Sequence, residues 1–363
     1  LTTESSVTAE RGRIYDTNRT VLATNVTTYR VFISPRTIRE YSEEDGTRYD
    51  EIIANGLSGL LDTTYENVMK QTTYTRYLDR TIARQVDEQT AAQVEEFIDK
   101  YRLNNMVFLQ AGSKRYYPHG TLACHVLGFT TSDGGGAYGL ELQYDSLLSG
   151  TSGRYITARD SHGNEMPYEY QSYIRASDGH SIVTTLDVYV QSVLEEQLST
   201  AYIEAGGQSR ACGIVIDVET GGILGMATYP SFDLNDPRTL NADSQSKLNA
   251  SGYAAGTEAY LKLKQELQLT TWANKSITEA YMPGSTFKII TLASALDSGA
   301  VTLNDHFYCG GSEKFEGRSQ TLSCWRLAGH GAETTAEALQ NSCNIAFAHI
   351  GLRLGGEKFY EYV

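Results

Sequence analysis

The spacing of apolar and polar residues changes character near residue 177. Before that point the pattern is irregular. The run Tyr29–Ser34 (YRVFIS) predicts a short strand, and apolar residues at helical spacing predict helices over Glu51–Leu61 and Thr90–Tyr101. Gly, Tyr and Thr are frequent between Gly112 and Gly163, and Ser132–Gly139 (SDGGGAYG) reads as a loop. After residue 177 the elements are cleaner. Ser181–Leu186 (SIVTTL) is β-rich. Val190, Val193, Leu194 and Leu198 predict a helix over Asp187–Leu198, with Asp187 placed to cap it. Two β-rich runs within Cys212–Thr228, joined by Glu-Thr-Gly-Gly, predict a hairpin. Phe232 to about Thr271 reads as a polar, mobile loop. A helix then begins at Ser285; Ile289, Ile290, Leu292, Ala293, Ala295 and Leu296 leave it almost no polar face, which predicts burial.

Composition narrows the class. A chain of 363 residues with 40% apolar residues is long enough for two domains, with a boundary expected at 174/175. A net charge of −14 and scattered Lys and Arg argue against nucleic acid as a partner. The longest strongly apolar stretch, Ile289–Leu296, is far short of the roughly 18 residues a membrane span needs. The abrupt start without Met leads us to expect a chain trimmed at both ends. Five cysteines are too few and too odd in number for a disulfide framework.

The chemistry-bearing pattern is Ser285-Thr-Phe-Lys288. Spacing of three puts both side chains on one face, one turn apart. A serine hydroxyl needs a neighbour to take its proton, and a lysine can do so when burial depresses its pKa. Alone the pattern is weak. Ser244-Gln-Ser-Lys247 also satisfies it and reads as a solvated loop, and Ser285 also fits a helix cap beside a solvated lysine. Ser342-Cys343-Asn344 follows 57 residues later, offering a hydroxyl for proton relay and an amide for a peptide; its simpler reading is again a helix cap.

In that order the two motifs resemble the signature of penicillin-binding proteins and serine β-lactamases. The flanks MPGSTFK (Met282–Lys288), RGRIYDTNRTVLATN (Arg11–Asn25), RYYPHGTLACHVLGF (Arg115–Phe129), YGLELQYDSLLSGTSG (Tyr138–Gly153) and IVIDVETGGILGMATYPSFDLNDP (Ile214–Pro237) resemble class B penicillin-binding proteins, most of all their sporulation branch. The resemblance implies an α+β fold of two domains. The first, 1–174, is an extended mixed α/β pedestal. The second, 175–363, is the N-terminal part of a transpeptidase domain, a sheet flanked by helices.

By the same resemblance Ser285 is the acylated nucleophile and Lys288 its general base. Ser342 relays a proton to the leaving D-alanine, Asn344 holds the stem peptide, and the Ser285 N–H forms half of an oxyanion hole. The implied partners are peptidoglycan stem peptides, β-lactams and a membrane glycan polymerase. The implied location is the extracytoplasmic membrane face, with an N-terminal anchor. Thr17 and Arg19 stand where the family has Arg and Gly, and Met282 where many relatives are acidic. No Lys-Thr-Gly, Lys-Ser-Gly or His-Thr-Gly follows Ser342, so the 363 residues are expected to be inactive without that segment. A β-lactam sensor or hydrolase would not need residues 1–174; a non-catalytic scaffold would not need the four motif residues.

Cys309, Cys324, His330 and Cys343, spaced C-x14-C-x5-H-x12-C, are donors suited to tetrahedral Zn²⁺, and a metal there would pin the Ser-Cys-Asn turn. A zinc site in some class B relatives supports this. A Cys309–Cys324 disulfide and buried free thiols are the alternatives, and Asp305 or His306 could replace Cys343 as the fourth ligand. Zinc would be structural; the chemistry needs no cofactor. His119 and His125 read as structural hydrogen-bonding groups, Arg115 and Glu141 as a buried pair fixing the pedestal, and Gly139 and Gly153 as backbone requirements.

Overall fold

A computed structural model describes residues 2–7, 9–158, 172–207 and 211–363. The chain divides into two compact units, Leu1–Thr278 and Glu279–Val363. Among the described residues no helix is long and apolar enough to cross a membrane.

The first unit is organised around one long strand. The Tyr29–Ser34 run proves to be the end of a 13-residue strand, Val21–Ile33. Val107–Tyr116 pairs antiparallel with it from Thr24↔Tyr116 to Ile33↔Val107, and Arg80–Val86 lies along its other edge. Near its start it pairs with Ile14–Tyr15, which in turn pairs in parallel with Ile182–Val183. Only those two residues of the predicted Ser181–Leu186 run are strand.

Helices cover the sheet where the apolar spacing placed them. Tyr49–Leu60 and Glu88–Tyr101 bury Ile53, Leu57, Val94 and Ile98 against Val31 and Ile33. Asp87 caps the second of these through the Thr90 N–H. The Asp187 carboxylate accepts from the N–H groups of Tyr189 and Val190, starting a helix that runs over Val188–Glu204. The hairpin is present as Ala211–Ile216 against Ile223–Tyr229.

Phe232–Thr271 departs from expectation. It contains two helices, Ala242–Ala250 and Glu258–Trp272, capped by the side chains of Asn241 and Thr257. Their sequence lacks a clear apolar stripe, which hid them. They are anchored at points instead: Leu248 is buried, Trp272 Nε1 donates to Pro237 O, and Ser244 Oγ lies 3.1 Å from Thr271 Oγ1. Ser244 is therefore a buried structural serine rather than part of a solvated loop.

A second core, with Ile14, Leu127, Phe129, Leu148 and Phe232, surrounds a buried ion cluster. The expected Arg115–Glu141 pair is there at 2.6 Å, and it has a third member. Arg11 Nε donates to the other Glu141 oxygen at 2.7 Å, and Arg11 Nη1 reaches Asp145. Glu141 is fully buried, with both oxygens held by guanidinium groups. Gly139 makes the close approach possible: at φ +58, a Cβ there would lie 2.5 Å from Val126 O. Replacing Glu141 by Gln should leave one buried guanidinium unneutralised and cost about 3 kcal/mol. Chemical denaturation of the variant and parent checks this; equal midpoints would show that the cluster contributes nothing.

His125 is buried beside it. Its Nε2 faces Thr271 O at 3.0 Å and must carry the proton, so Nδ1 accepts from the Cys124 thiol at 3.3 Å. Burial pushes its pKa down from 6.5 to about 4, against the opposing pull of the Thr271 carbonyl. The unfolded chain binds this proton between those two pH values and the folded chain does not. Stability from the neutral ring is therefore complete above pH 6.5 and lost as pH falls towards 4, about 3 kcal/mol in all. Thermal midpoints measured across that window should fall more steeply in the parent than in His125→Gln.

Candidate active site

Every motif residue of the proposed chemistry lies in the unit Glu279–Val363. Pro283 and Gly284, the latter at φ +60, turn the chain into a single 3-10 turn, Gly284–Phe287, and the α-helix proper begins at Lys288 and runs to Asp297. Ser285 is exposed on that turn. The helix is not buried all round as expected. Leu292 and Ala295 face the core, while Ile289 and Ile290 are 61% and 43% exposed. Its packing partner in this unit is the helix Asn344–Leu354, which contributes Ile345, Ala346 and Ile350. The helix Gly356–Tyr362 also contacts it, Tyr362 donating to Asp297, and together these neighbours leave the face with Ile289 and Ile290 open; the uniformly apolar sequence did not reveal which face that would be.

That packing brings the two motifs together. Lys288 Nζ lies 2.7 Å from Ser342 O, 3.1 Å from Ser342 Oγ and 2.7 Å from Asn344 Oδ1. The Asn344 amide is oriented from behind, its Nδ2 donating to Ser323 O at 3.0 Å. The Phe347 ring, one turn along the same helix, closes over the ammonium at 5.5 Å. Phe347 was not anticipated, although its spacing of three from Asn344 marks it as a same-face neighbour. Among the described residues Ser285 Oγ makes no side-chain hydrogen bond; Lys288 is directed to Ser342 and Asn344 instead.

Desolvation lowers the Lys288 pKa below its ordinary value, while the nearby thiols of Cys324 and Cys343 act in the opposite direction. A lysine displaced towards its free base, 3.1 Å from a serine hydroxyl, can exchange a proton with it.

Ser342 is itself strained, at φ +47. An L-residue holds that conformation at a cost of order 1 kcal/mol only when its surroundings fix it. They do so on both sides. Ser342 N donates to Leu339 O, Cys343 N to Ala338 O, and Trp325 Nε1 to Asn341 O. Cys343 then caps the following helix, its sulfur accepting from Ala346 N. Two of these anchors depend on the short helix Thr335–Gln340, which opens with a capping box between Thr334 and Glu337.

The sulfur of Cys343 points into the group expected from the sequence. The donor atoms of Cys309, Cys324, His330 and Cys343 all lie within 4.8 Å of one another. Asp305 is instead engaged with Arg353 and Thr302, and His306 is not in the group. Cys309 ends the strand His306–Cys309, which pairs with Gly331–Thr334, so the residue just before that partner, His330, is delivered beside it. Gly329, at φ +76, permits the approach, since a Cβ there would lie 2.1 Å from Cys309 O.

All three sulfurs are buried and unjoined. Burial, reinforced by the Glu333 carboxylate, pushes the Cys343 thiol well above its ordinary value. Desolvation also raises Cys324, but the N–H groups of Asn344 and Arg326 and the neighbouring thiols outweigh it and leave that thiol lowered. His330 Nδ1 is 3.7 Å from Cys324 Sγ, while its Nε2 is buried with no partner. Two soft donors, a third thiol and an imidazole with an unanswered nitrogen fit a tetrahedral metal of the zinc type.

Comparison with known proteins agrees with this architecture. Residues 6–184 match the penicillin-binding protein dimerisation domain, and residues 211–363 match the penicillin-binding protein transpeptidase domain. The chain belongs to the class B penicillin-binding proteins. It is 31% identical to stage V sporulation protein D of Bacillus subtilis, over 98% of this chain and 49% of that protein. It is 25% identical to the peptidoglycan D,D-transpeptidase MrdA of Escherichia coli, over 98% of this chain and 54% of that protein. The chain thus spans about half the length of the curated relatives it matches. Its fold also matches the penicillin-binding protein PBP2 of Helicobacter pylori, solved in complex with MreC, with a TM-score of 0.71 and 22% identity over 100% of this chain and 64% of that one.

Proposed function

We propose that these residues belong to a serine D,D-transpeptidase that cross-links peptidoglycan stem peptides during cell-wall or spore-cortex synthesis. The observation that carries this reading is the grip of Lys288 Nζ on Ser342 and Asn344, one turn from Ser285. Ser285 Oγ attacks the carbonyl between two D-alanines, and its proton passes to neutral Lys288. Ser342 Oγ relays that proton to the amine of the departing D-alanine. The Asn344 amide, already held by Ser323, hydrogen-bonds the stem peptide. The Ser285 N–H, at the start of its helical turn, supports the developing oxyanion. An amine from a second stem then resolves the acyl-enzyme, and a β-lactam would stop the cycle there.

The reaction is proposed to need a Lys-Thr-Gly strand as the far wall of the site. None occurs after Ser342 in these 363 residues, which would be inactive without it. The reading places the protein on the extracytoplasmic face of a membrane, anchored there and working beside a glycan polymerase. Intact-mass spectrometry after incubation with a penicillin tests it, on the protein extended through the Lys-Thr-Gly segment. One adduct per chain is expected, absent in Ser285→Ala and formed about a hundredfold to ten-thousandfold more slowly in Lys288→Ala. A folded, extended protein that takes no adduct would leave the scaffold reading in its place.

We further propose that Cys309, Cys324, His330 and Cys343 hold a structural Zn²⁺, with no part in bond making. Bound zinc would supply a fixed tetrahedral junction among four loops. Cys343 is a ligand flanked by Ser342 and Asn344, so the junction would hold the strained turn from behind. The native protein should carry one zinc per chain by elemental analysis, and chelation should lower its thermal midpoint. Protein purified without metal, with two fewer titratable thiols than its five cysteines, would point to the Cys309–Cys324 disulfide instead.

A further inference from the structure

Lys288 is held in an unusual way for a half-buried lysine. An ammonium has three N–H groups, and Ser342 O, Ser342 Oγ and Asn344 Oδ1 are placed to take all three. None of these oxygens carries a charge. Among the described residues no carboxylate forms an ion pair with Lys288. Beyond the three oxygens, the electron-rich surface that meets the charge is the ring of Phe347, with Nζ over its face at 5.5 Å from the centroid. The ring is fixed there. Phe347 is 6% exposed, in the core with Leu292, Ala346 and Ile350, and its N–H donates to Cys343 O at 3.2 Å.

A ring in place of an anion has a chemical consequence. A carboxylate beside an ammonium near a protein surface would raise its proton affinity about a thousandfold, and a base so paired keeps its proton. An aromatic face favours the same charge only about two- to fivefold. That is enough to prefer one position of the ammonium and small enough to leave the proton exchangeable. Loss of water acts the other way and is the largest influence on Lys288, lowering its pKa. The ionisable groups that act on it from neighbouring segments are the thiols of Cys324 and Cys343. His349 and Arg353, on the same helix as Phe347, are paired with Glu313 and Asp305.

We propose that Phe347 is a positioning residue for Lys288: its ring face holds the ammonium against the Ser342–Asn344 turn in place of an anion and leaves the proton free to move. It acts through Lys288 and touches no reacting atom. In the proposed cycle the proton of Ser285 arrives at Nζ and leaves through Ser342 Oγ, 3.1 Å away. A weak hold on the charged form keeps Nζ within reach of Ser342 in both halves of that exchange. A carboxylate at the same place would trap the charge after the first half. The catalytic consequence rests on the transpeptidase reading; the hold of the ring on the ammonium does not.

The test replaces Phe347, in the extended protein, with phenylalanines bearing one, two and three ring fluorines. Fluorine draws electrons from the ring face and scarcely changes its size, so packing is kept while the attraction for a cation is weakened. The proton affinity of Lys288 is read by titrating its ¹³C-labelled side chain, with the resonance assigned by Lys288→Arg. It should fall stepwise along the series, about two- to fivefold in all. A ring that served only as packing would give the same titration in every member. An unchanged or rising proton affinity across the series would overturn the proposal. Penicillin acylation of the same proteins, followed below the Lys288 midpoint, should quicken by up to the same factor as more of the lysine becomes free base. A parent protein that takes no adduct would remove the transpeptidase reading, and the titration would still decide the role of Phe347.

Discussion

The arrangement of the unit Glu279–Val363 depends on one ammonium group. Lys288 Nζ touches Ser342 twice and Asn344 once, and those contacts require the helix Lys288–Asp297 to lie against Asn344–Leu354 in a single register. The geometry is demanding because Ser342 must sit at φ +47, a conformation that backbone bonds to Leu339 and Ala338 and the bond from Trp325 Nε1 to Asn341 O impose. The same enclosure that places the lysine also desolvates it. Position and protonation state thus have a common origin. The two nearby thiols oppose the shift, so the state of the sulfur group bears on the lysine as well as on the turn.

The first unit solves a similar problem with charge. Glu141 is buried between Arg11 and Arg115, residues that arrive from segments more than a hundred positions apart along the chain for Arg11. An ion group of this kind adds little net stability over apolar packing, but removing one member is costly, so it favours one assembly of the segments.

Much of the candidate site was legible in the sequence because its chemistry is local. Ser285 and Lys288 are one turn apart, Ser342 and Asn344 flank one residue, and the four metal-type donors are rare residue types in a chain with five cysteines. Their convergence needed only the order of two motifs. Contacts made across long separations were not legible. Nothing near Arg11 marks it as the second partner of Glu141, and Phe347 looks like any core residue until Lys288 is placed beside it. The helices Ala242–Ala250 and Glu258–Trp272 were missed because capping side chains and a few anchors hold them, rather than an apolar stripe. The opposite error occurred at Ile289 and Ile290, where an apolar sequence suggested burial that this unit does not provide.

The central claim is that the enclosure that places Lys288 also desolvates it and lowers its pKa. The direct measurement is the titration of its side chain in protein carrying ¹³C-labelled lysine, with the resonance assigned by Lys288→Arg. The account predicts a midpoint below the ordinary lysine value of 10.5. A midpoint at or above that value would contradict it, because the ammonium would then be stabilised in its site and unable to take the proton of Ser285.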